Sequence, residues 1–85
     1  MKLVFDPNAL EDLRFWIDKG RKALRIVELI EHILREPFQG IGKPQPLRFE
    51  LKGCWSRRID QEHRVVYKVE KGELVILACR YHYEP

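Results

Sequence analysis

Three prolines and two glycines fall within the ten residues Pro37–Pro46, and this segment limits the possible folds more than any other part of the chain. Proline lacks a backbone N–H and glycine weakens regular structure, so neither a helix nor a central strand can run through it. Apolar residues recur every three or four positions before the segment and every second position after it. The sequence therefore predicts helices first and antiparallel strands afterwards, joined by a loop of about ten residues.

The first part of the chain predicts one strand and two helices. Lys2–Phe5 is short and apolar, and Asp6-Pro7 supplies an N-cap acid followed by a first-turn proline. Gly20 is placed to end the first helix, and Pro37 stops the second. The residues at helical spacing are Leu10, Leu13, Trp16 and Ile17 in the first helix and Leu24, Val27, Ile30 and Leu34 in the second.

The second part predicts a meander of three or four antiparallel strands over residues 47–52, 55–60, 64–69 and 74–83, with turns at Lys52-Gly53 and Lys71-Gly72. The last run is the most apolar, so it is predicted to lie inside the sheet. The expected fold is a single α+β domain over residues 1–85. It has two layers, with an N-terminal strand and an α-hairpin packed on an antiparallel sheet.

Composition narrows the class of partner. The net charge is +3, and the whole excess lies in residues 43–85, which carry nine basic and six acidic side chains. This asymmetry favours an anionic partner, with phosphate as the leading candidate.

No apolar run is long enough to span a membrane and no export signal is visible, so the expected location is the cytoplasm. Cys54 and Cys79 are expected to be packed thiols rather than a zinc site or a disulfide.

Basic residues occupy the positions that alternate with the apolar ones in the predicted strands. They are Arg48, Arg58, Arg64 and Arg80, joined by His82. Such a face suits RNA, because guanidinium groups bind phosphate and aromatic rings stack on bases. RNA cleavage by its own 2′-hydroxyl needs a base, a cation and an acid, but no metal. His82 and Arg64 are the candidates for acid and cation, whereas His32 and His63 are assigned structural or solvent-exposed positions. A non-cleaving RNA-binding face remains an alternative.

Several segments resemble, in order, the motifs of the YoeB (Txe) toxins within the RelE/ParE superfamily. They are PFQGIG at 37–42, KPQPL at 43–47, GCWSRRI at 53–59, EHRVVY at 62–67 and ACRYHY at 78–83. The resemblance spans nearly the whole chain and implies a RelE-like fold.

The resemblance implies a ribosome-dependent endonuclease that cuts mRNA in the ribosomal A site by 2′-hydroxyl attack, without a cofactor. It implies a YefM (Axe) type antitoxin as partner, and contact with operator DNA only through that complex. His82 would be the general acid, Arg64 the transition-state stabiliser, and Tyr83 a residue that places the substrate. The residues expected to contact RNA are Lys43, Arg48, Lys52, Arg57, Arg58 and Arg80.

One departure from the family pattern concerns the catalytic base. Gln45 stands where the family usually has a glutamate, and a neutral amide cannot accept the 2′-hydroxyl proton at pH 7. Two functions therefore stay open: an endonuclease, or a weakened toxin that blocks translation by occupying the ribosome. Glu50 is a candidate substitute base, because it lies two positions after Arg48 and so on the same face of the predicted strand. A ParE-like topoisomerase inhibitor is a third alternative, disfavoured by the ending at 81–83, and the sequence leaves monomer and homodimer open.

Overall fold

The computed structural model describes residues 1–20 and 22–81. Its elements are strand β1 (Lys2–Phe5), helix α1 (Pro7–Lys19), helix α2 (Ala23–Arg35), strand β2 (Gln45–Pro46), a 3₁₀ turn (Phe49–Leu51), and strands β3 (Trp55–Arg58), β4 (Arg64–Glu70) and β5 (Glu73–Ala78). The predicted α+β fold, with a strand and two helices before the remaining strands, is confirmed.

Local signals in the sequence set the ends of α1 correctly. The Asp6 carboxylate accepts a hydrogen bond from the backbone N–H of Asn8 at 2.9 Å, which caps the first turn. Gly20 adopts the left-handed conformation, with φ of 70°, and its N–H donates to carbonyls of the last turn.

The predicted apolar stripe of the helices is only partly buried. Leu10 and Ile17 of α1 are 58% and 59% exposed, whereas Ala9 and Trp16 lie in the core. Leu24 of α2 is also exposed. Helical spacing identifies the apolar residues, but the packing on the sheet decides which of them are covered.

The five strands form one sheet in the order β1-β5-β4-β3-β2. Strands β3, β4 and β5 pair antiparallel as predicted, and β5 lies inside the sheet between β1 and β4. Strand β2 falls at the end of the segment predicted to be a loop, and it pairs antiparallel with β3. Strand β1 pairs parallel with β5, so the sheet is mixed rather than purely antiparallel. Strand β5 ends at Ala78, earlier than the predicted run to residue 83.

Each face of the sheet carries its own apolar cluster. The helix-covered face holds the main core, in which Val65, Tyr67, Leu74 and Ile76 pack against α1 and α2. The opposite face, called here the open face, holds a small cluster of Leu47, Val66 and Ala78. Leu51 and Cys54 pack against this cluster. Both cysteines are free thiols, as predicted.

The predicted strand at 47–52 is wrong. Residues Phe49–Leu51 form a 3₁₀ turn, in which the N–H of Leu51 donates to the carbonyl of Arg48. The turn lets Leu47 and Leu51 reach the small cluster, while Phe49 is 81% exposed with φ of 57°. The parity argument that made Glu50 a substitute base therefore no longer holds.

Arg57 is fully buried, which corrects the expectation that it contacts RNA. Its guanidinium donates to the carbonyl oxygens of Ile41 at 3.1 Å, Gln39 at 2.9 Å and Glu36. Its Nε also donates to the hydroxyl of Tyr67 at 3.2 Å. The buried side chain therefore anchors the loop that follows α2, because the carbonyl groups of that loop need donors inside the protein.

Tyr67 completes the anchor from strand β4. Its hydroxyl donates to the carbonyl of Pro37 at 2.6 Å. Burial raises the pKa of Tyr67 despite the opposing influence of Arg57, so the phenol keeps the proton that it donates.

The adjacent arginines provide a matched test of this assignment. Arg57→Met should lower the free energy of unfolding by about 2–4 kcal/mol, because several loop carbonyls lose their donor. Arg58→Met, at an exposed position, should change it by no more than about 0.5 kcal/mol. Urea denaturation of both variants measures the difference, and equal losses would contradict the anchoring role.

A second test concerns Gly42, where the same loop touches the core. Gly42 has φ of 82°, and an added Cβ would lie 2.7 Å from Leu29 Cδ2 and 3.1 Å from Arg57 Cβ. Gly53 has φ of 94° but nothing within 4 Å, so Gly53→Ala measures backbone strain alone. Gly42→Ala should be more destabilising than Gly53→Ala by about 1–3 kcal/mol in urea denaturation, because it adds overpacking to the strain. Similar losses would show that the loop has room to move.

Candidate active site on the open sheet face

Two arginines lie side by side on the open face. Arg58 of β3 is in register with Arg64 of β4, directly across the ladder. Cβ atoms of such pairs are about 4.5–5.5 Å apart, and two like charges at this spacing destabilise the sheet. A bound anion between them would remove that cost, so the pair has the charge and spacing expected of a phosphate site.

The turn between β3 and β4 orients Arg64. Its Nη1 lies 2.8 Å from the carbonyl oxygen of Asp60 and 3.1 Å from that of His63. Gln61 contributes a third, longer contact at 3.3 Å. Within residues 1–20 and 22–81, the hydrogen bonds of this guanidinium all run through Nη1. Toward the described residues, its Nε and Nη2 therefore make no hydrogen bond.

The turn is itself held by the side chain of Asp60. The carboxylate accepts backbone N–H groups from Glu62 at 2.9 Å and His63 at 2.7 Å. Burial alone would raise the pKa of Asp60, but these two hydrogen bonds and nearby positive charge, including that of Lys22, lower it on balance. The carboxylate is therefore ionised at neutral pH, and the turn keeps its shape.

Gln45 also lies on the open face. It is exposed in β2 and in register with Ser56, which pairs in turn with Val66 of β4. With strands about 4.8 Å apart, Gln45 lies about 10 Å from the backbone of β4. The other lysines and arginines expected to contact RNA near Gln45 are all exposed to solvent: Lys43, Arg48 and Lys52.

The structure places Arg80 elsewhere, which corrects its grouping with the open-face arginines. Its guanidinium carbon lies 3.5 Å from the ring centroid of Phe15 in α1 and 4.7 Å from that of Tyr81. Its Nε is buried. The cation–π contact with Phe15 therefore holds Arg80 against α1.

Helix α1 fixes the residue that follows β5. The Asp12 carboxylate accepts the backbone N–H of Cys79 at 3.0 Å, and Trp16 Nε1 donates to the carbonyl of Cys79 at 2.6 Å. Burial, with the Asp12 carboxylate nearby, raises the pKa of the Cys79 thiol to about 12. This thiol stays protonated and serves packing rather than chemistry.

Strand β4 and its turn hold the next residues. The backbone N–H of Arg64 donates to the carbonyl of Tyr81 at 2.8 Å, and the backbone N–H of Tyr81 donates to Nδ1 of His63 at 2.6 Å. The proposed acid His82 and the substrate-placing Tyr83 lie outside the described residues. Tyr81, the residue immediately before them, is therefore hydrogen-bonded through its carbonyl to Arg64 and through its N–H to His63.

Sequence reasoning assigned His63 no functional role. Its contact with Tyr81 joins residues eighteen positions apart, and hydrophobic periodicity carries no signal for such a contact. The one available clue was its place in the chain, directly before Arg64.

Neither helix in the described parts of the chain is long and apolar enough to cross a membrane.

Comparison with known proteins identifies the family. Residues 5–83 match the model of the YoeB-like toxins of bacterial type II toxin-antitoxin systems. The chain is 58% identical to Toxin YoeB of Mycobacterium bovis over 80 residues, which cover 93% of this chain and 94% of that protein. A YoeB/ParE toxin from Agrobacterium tumefaciens has the same fold, with a TM-score of 0.93, 43% identity, and coverage of 98% of this chain and 100% of that one.

A Staphylococcus aureus relative shows two assemblies. It is 40% identical, with coverage of 98% of both chains, and has been solved as a YoeB dimer at a TM-score of 0.89. It has also been solved as a heterotetrameric YoeB–YefM toxin-antitoxin complex at a TM-score of 0.87. Sequence and fold agree over nearly the full length, and the chain belongs to the YoeB family of type II toxins, within the RelE/ParE superfamily.

Proposed function

We propose that this toxin is a metal-independent endoribonuclease that cuts mRNA in the ribosomal A site and so stops translation. The observation that carries the proposal is the Arg58–Arg64 pair, set on the open face beside the backbone of Tyr81. The pair would bind phosphate, and it lies next to Tyr81, which precedes the proposed proton donor His82 in the sequence.

The proposed reaction uses the RNA as its own nucleophile. The 2′-oxygen attacks the adjacent phosphorus and loses its proton, while the bond from phosphorus to O5′ breaks. His82 gives its proton to the departing O5′, which leaves a 2′,3′-cyclic phosphate and a 5′-hydroxyl. Arg64 stabilises the charge that develops on the phosphorane oxygens, through the donors that the turn leaves free.

The remaining residues bind and place the substrate. Arg58 holds the phosphate together with Arg64, and the exposed cations Lys43, Arg48 and Lys52 bind neighbouring phosphates of the strand. Tyr83 orients the nucleotide at the cleavage point. Arg57 takes no part, because the loop carbonyls occupy its donors.

Gln45 limits the rate of this chemistry. Its side-chain oxygen can accept a hydrogen bond from the 2′-hydroxyl and orient it, but the proton must then pass to water. Loss of a positioned base typically costs about 10²- to 10⁴-fold in rate. This residue favours a second candidate function, in which the toxin occupies the A site and blocks translation without cutting.

The partner of the toxin is proposed to be an antitoxin of the YefM type, as in the Staphylococcus aureus complex. Exposed apolar side chains on the helix layer provide a surface for it, among them Leu10 and Ile17 of α1 and Leu24 and Val27 of α2. The antitoxin complex would repress the shared operon, and toxin alone would not bind operator DNA.

Primer extension on mRNA in a reconstituted translation system tests the proposal. Wild type should cut within the A-site codon, because orientation and charge stabilisation remain without a base. His82→Ala should abolish the cut, and Gln45→Glu should accelerate it by at least about 10²-fold by supplying the base. If wild type stalls ribosomes without cutting and Gln45→Glu cuts, the blocking function replaces the endonuclease.

Two further variants control for nonspecific loss of positive charge. Arg58→Ala should weaken cleavage by removing half of the phosphate site. Lys71→Ala removes an equally exposed cation from the turn between β4 and β5, at the far end of the sheet, and should leave cleavage unchanged. Equal effects of the two substitutions would point to general electrostatic attraction. Inhibition of a topoisomerase with translation intact would reject both proposed functions.

A further inference from the structure

The ring of His63 connects two parts of the candidate active site. Its Nδ1 accepts the backbone N–H of Tyr81 at 2.6 Å, and its own backbone carbonyl contacts Nη1 of Arg64 at 3.1 Å. One residue thus touches both the proposed cation and the backbone directly before the proposed acid. We infer that His63 is a positioning residue, which holds the chain ahead of His82 in register with Arg64. This inference rests on the proposed endonuclease function and adds a residue to it.

The surroundings of the imidazole ring fix its orientation. The side chain is only 13% exposed. It packs edge-on against Trp16 of α1, with ring centroids 4.8 Å apart, and lies tilted against Tyr81 with centroids 5.7 Å apart. Trp16 in turn donates to the carbonyl of Cys79, two residues before Tyr81. The ring is therefore held by the same helix that anchors the chain after β5.

The hydrogen bond also defines the tautomer. Because the backbone N–H of Tyr81 donates to Nδ1, this nitrogen carries no proton, and the ring proton lies on Nε2. Nε2 lies 3.6 Å from Oε1 of Glu62, which favours a proton at that position. The neutral ring acts here as an acceptor for a backbone amide and has no direct part in proton transfer to RNA.

Backbone strain shows why Tyr81 needs a partner. Tyr81 has φ of 61°, in the left-handed region that a residue with a bulky side chain rarely adopts. Such a conformation persists only where surrounding contacts hold it. The His63 ring supplies the acceptor for the Tyr81 N–H, and the backbone N–H of Arg64 satisfies its carbonyl. Together these contacts set the direction in which the chain continues toward His82.

Two substitutions at position 63 separate the effect of losing the hydrogen-bond acceptor from the effect of changing the bulk of the side chain. Asparagine places a carbonyl oxygen on Cγ, where Nδ1 is attached in histidine, and can accept the same N–H. Leucine has similar bulk without an acceptor. On programmed ribosomes, His63→Leu should lower kcat by about 10²-fold with KM unchanged, since misplacement of a catalytic group by about 1 Å costs that much. His63→Asn should recover most of the lost kcat.

The hydrogen bond can also be observed directly in the folded wild-type toxin. In protein labelled with ¹⁵N, an N–H···N hydrogen bond gives a scalar coupling between its two nitrogen atoms. NMR should show this coupling between the Tyr81 amide and Nδ1 of His63, and it should be absent in His63→Leu. A resolved Tyr81 amide without the coupling in wild type would overturn the inference, whether or not the variants fold.

The kinetic outcomes keep this inference separate from the proposed function. If His63→Leu cleaves as fast as wild type, or more slowly only because its KM is higher, the positioning role is wrong. The endonuclease proposal is unaffected by that result. Equal loss in His63→Asn and His63→Leu also overturns it, because the acceptor would then be irrelevant. If wild type does not cut, the same pair is compared in a Gln45→Glu background. Absence of cleavage there rejects the proposed function and this inference with it.

Discussion

The buried guanidinium of Arg57 is the interaction on which the rest of the structure depends. The segment that joins α2 to β2 has no regular structure, so its carbonyl groups lack the donors that a helix or sheet would provide. Arg57 supplies donors to three of them from β3, and Tyr67 supplies another from β4. The loop is thereby fastened to β3 and β4, the strands that carry Arg58 and Arg64. It delivers Lys43 and Gln45 to the open side at a defined position.

Strand alternation assigns different tasks to two adjacent arginines. Arg57 points into the helix-covered side and stabilises the fold, whereas Arg58 is exposed beside Arg64. The placement of two like charges across a ladder costs stability, and a bound anion would reduce that cost. The charge pair therefore supports the proposal of a phosphate site more directly than the overall net charge does.

Sequence signals were reliable where they were local. Asp6-Pro7 and Gly20 fixed the ends of α1, because capping depends on neighbouring residues alone. The prediction of a strand at 47–52 is wrong. Its alternating leucines reach the small cluster on the open face through a 3₁₀ turn, which alternation alone does not distinguish from a strand. Arg57 is in phase with Trp55 and Ile59, which indicates an inward position, whereas the family resemblance implies contact with RNA.

Contacts between distant parts of the chain were beyond such reasoning. The alternating pattern indicates His82 and Arg64 as candidates and the family resemblance adds Gln45, but neither shows what holds the backbone next to these residues. Trp16 and Asp12 of α1 fasten Cys79, and His63 receives the N–H of Tyr81. Each of these contacts spans eighteen or more residues, so only the folded chain reveals them.

Gln45 gives these positioning contacts added weight. In an enzyme with a carboxylate base, proton transfer contributes about 10²- to 10⁴-fold to the rate. With an amide in its place, the rate depends on charge stabilisation and on the alignment of the 2′-oxygen, the phosphorus and the leaving O5′. In the proposed mechanism, both depend on the relation between Arg64 and the chain that follows Cys79. The turn at Asp60–His63, which orients Arg64, therefore affects the contributions to the rate that do not require a base.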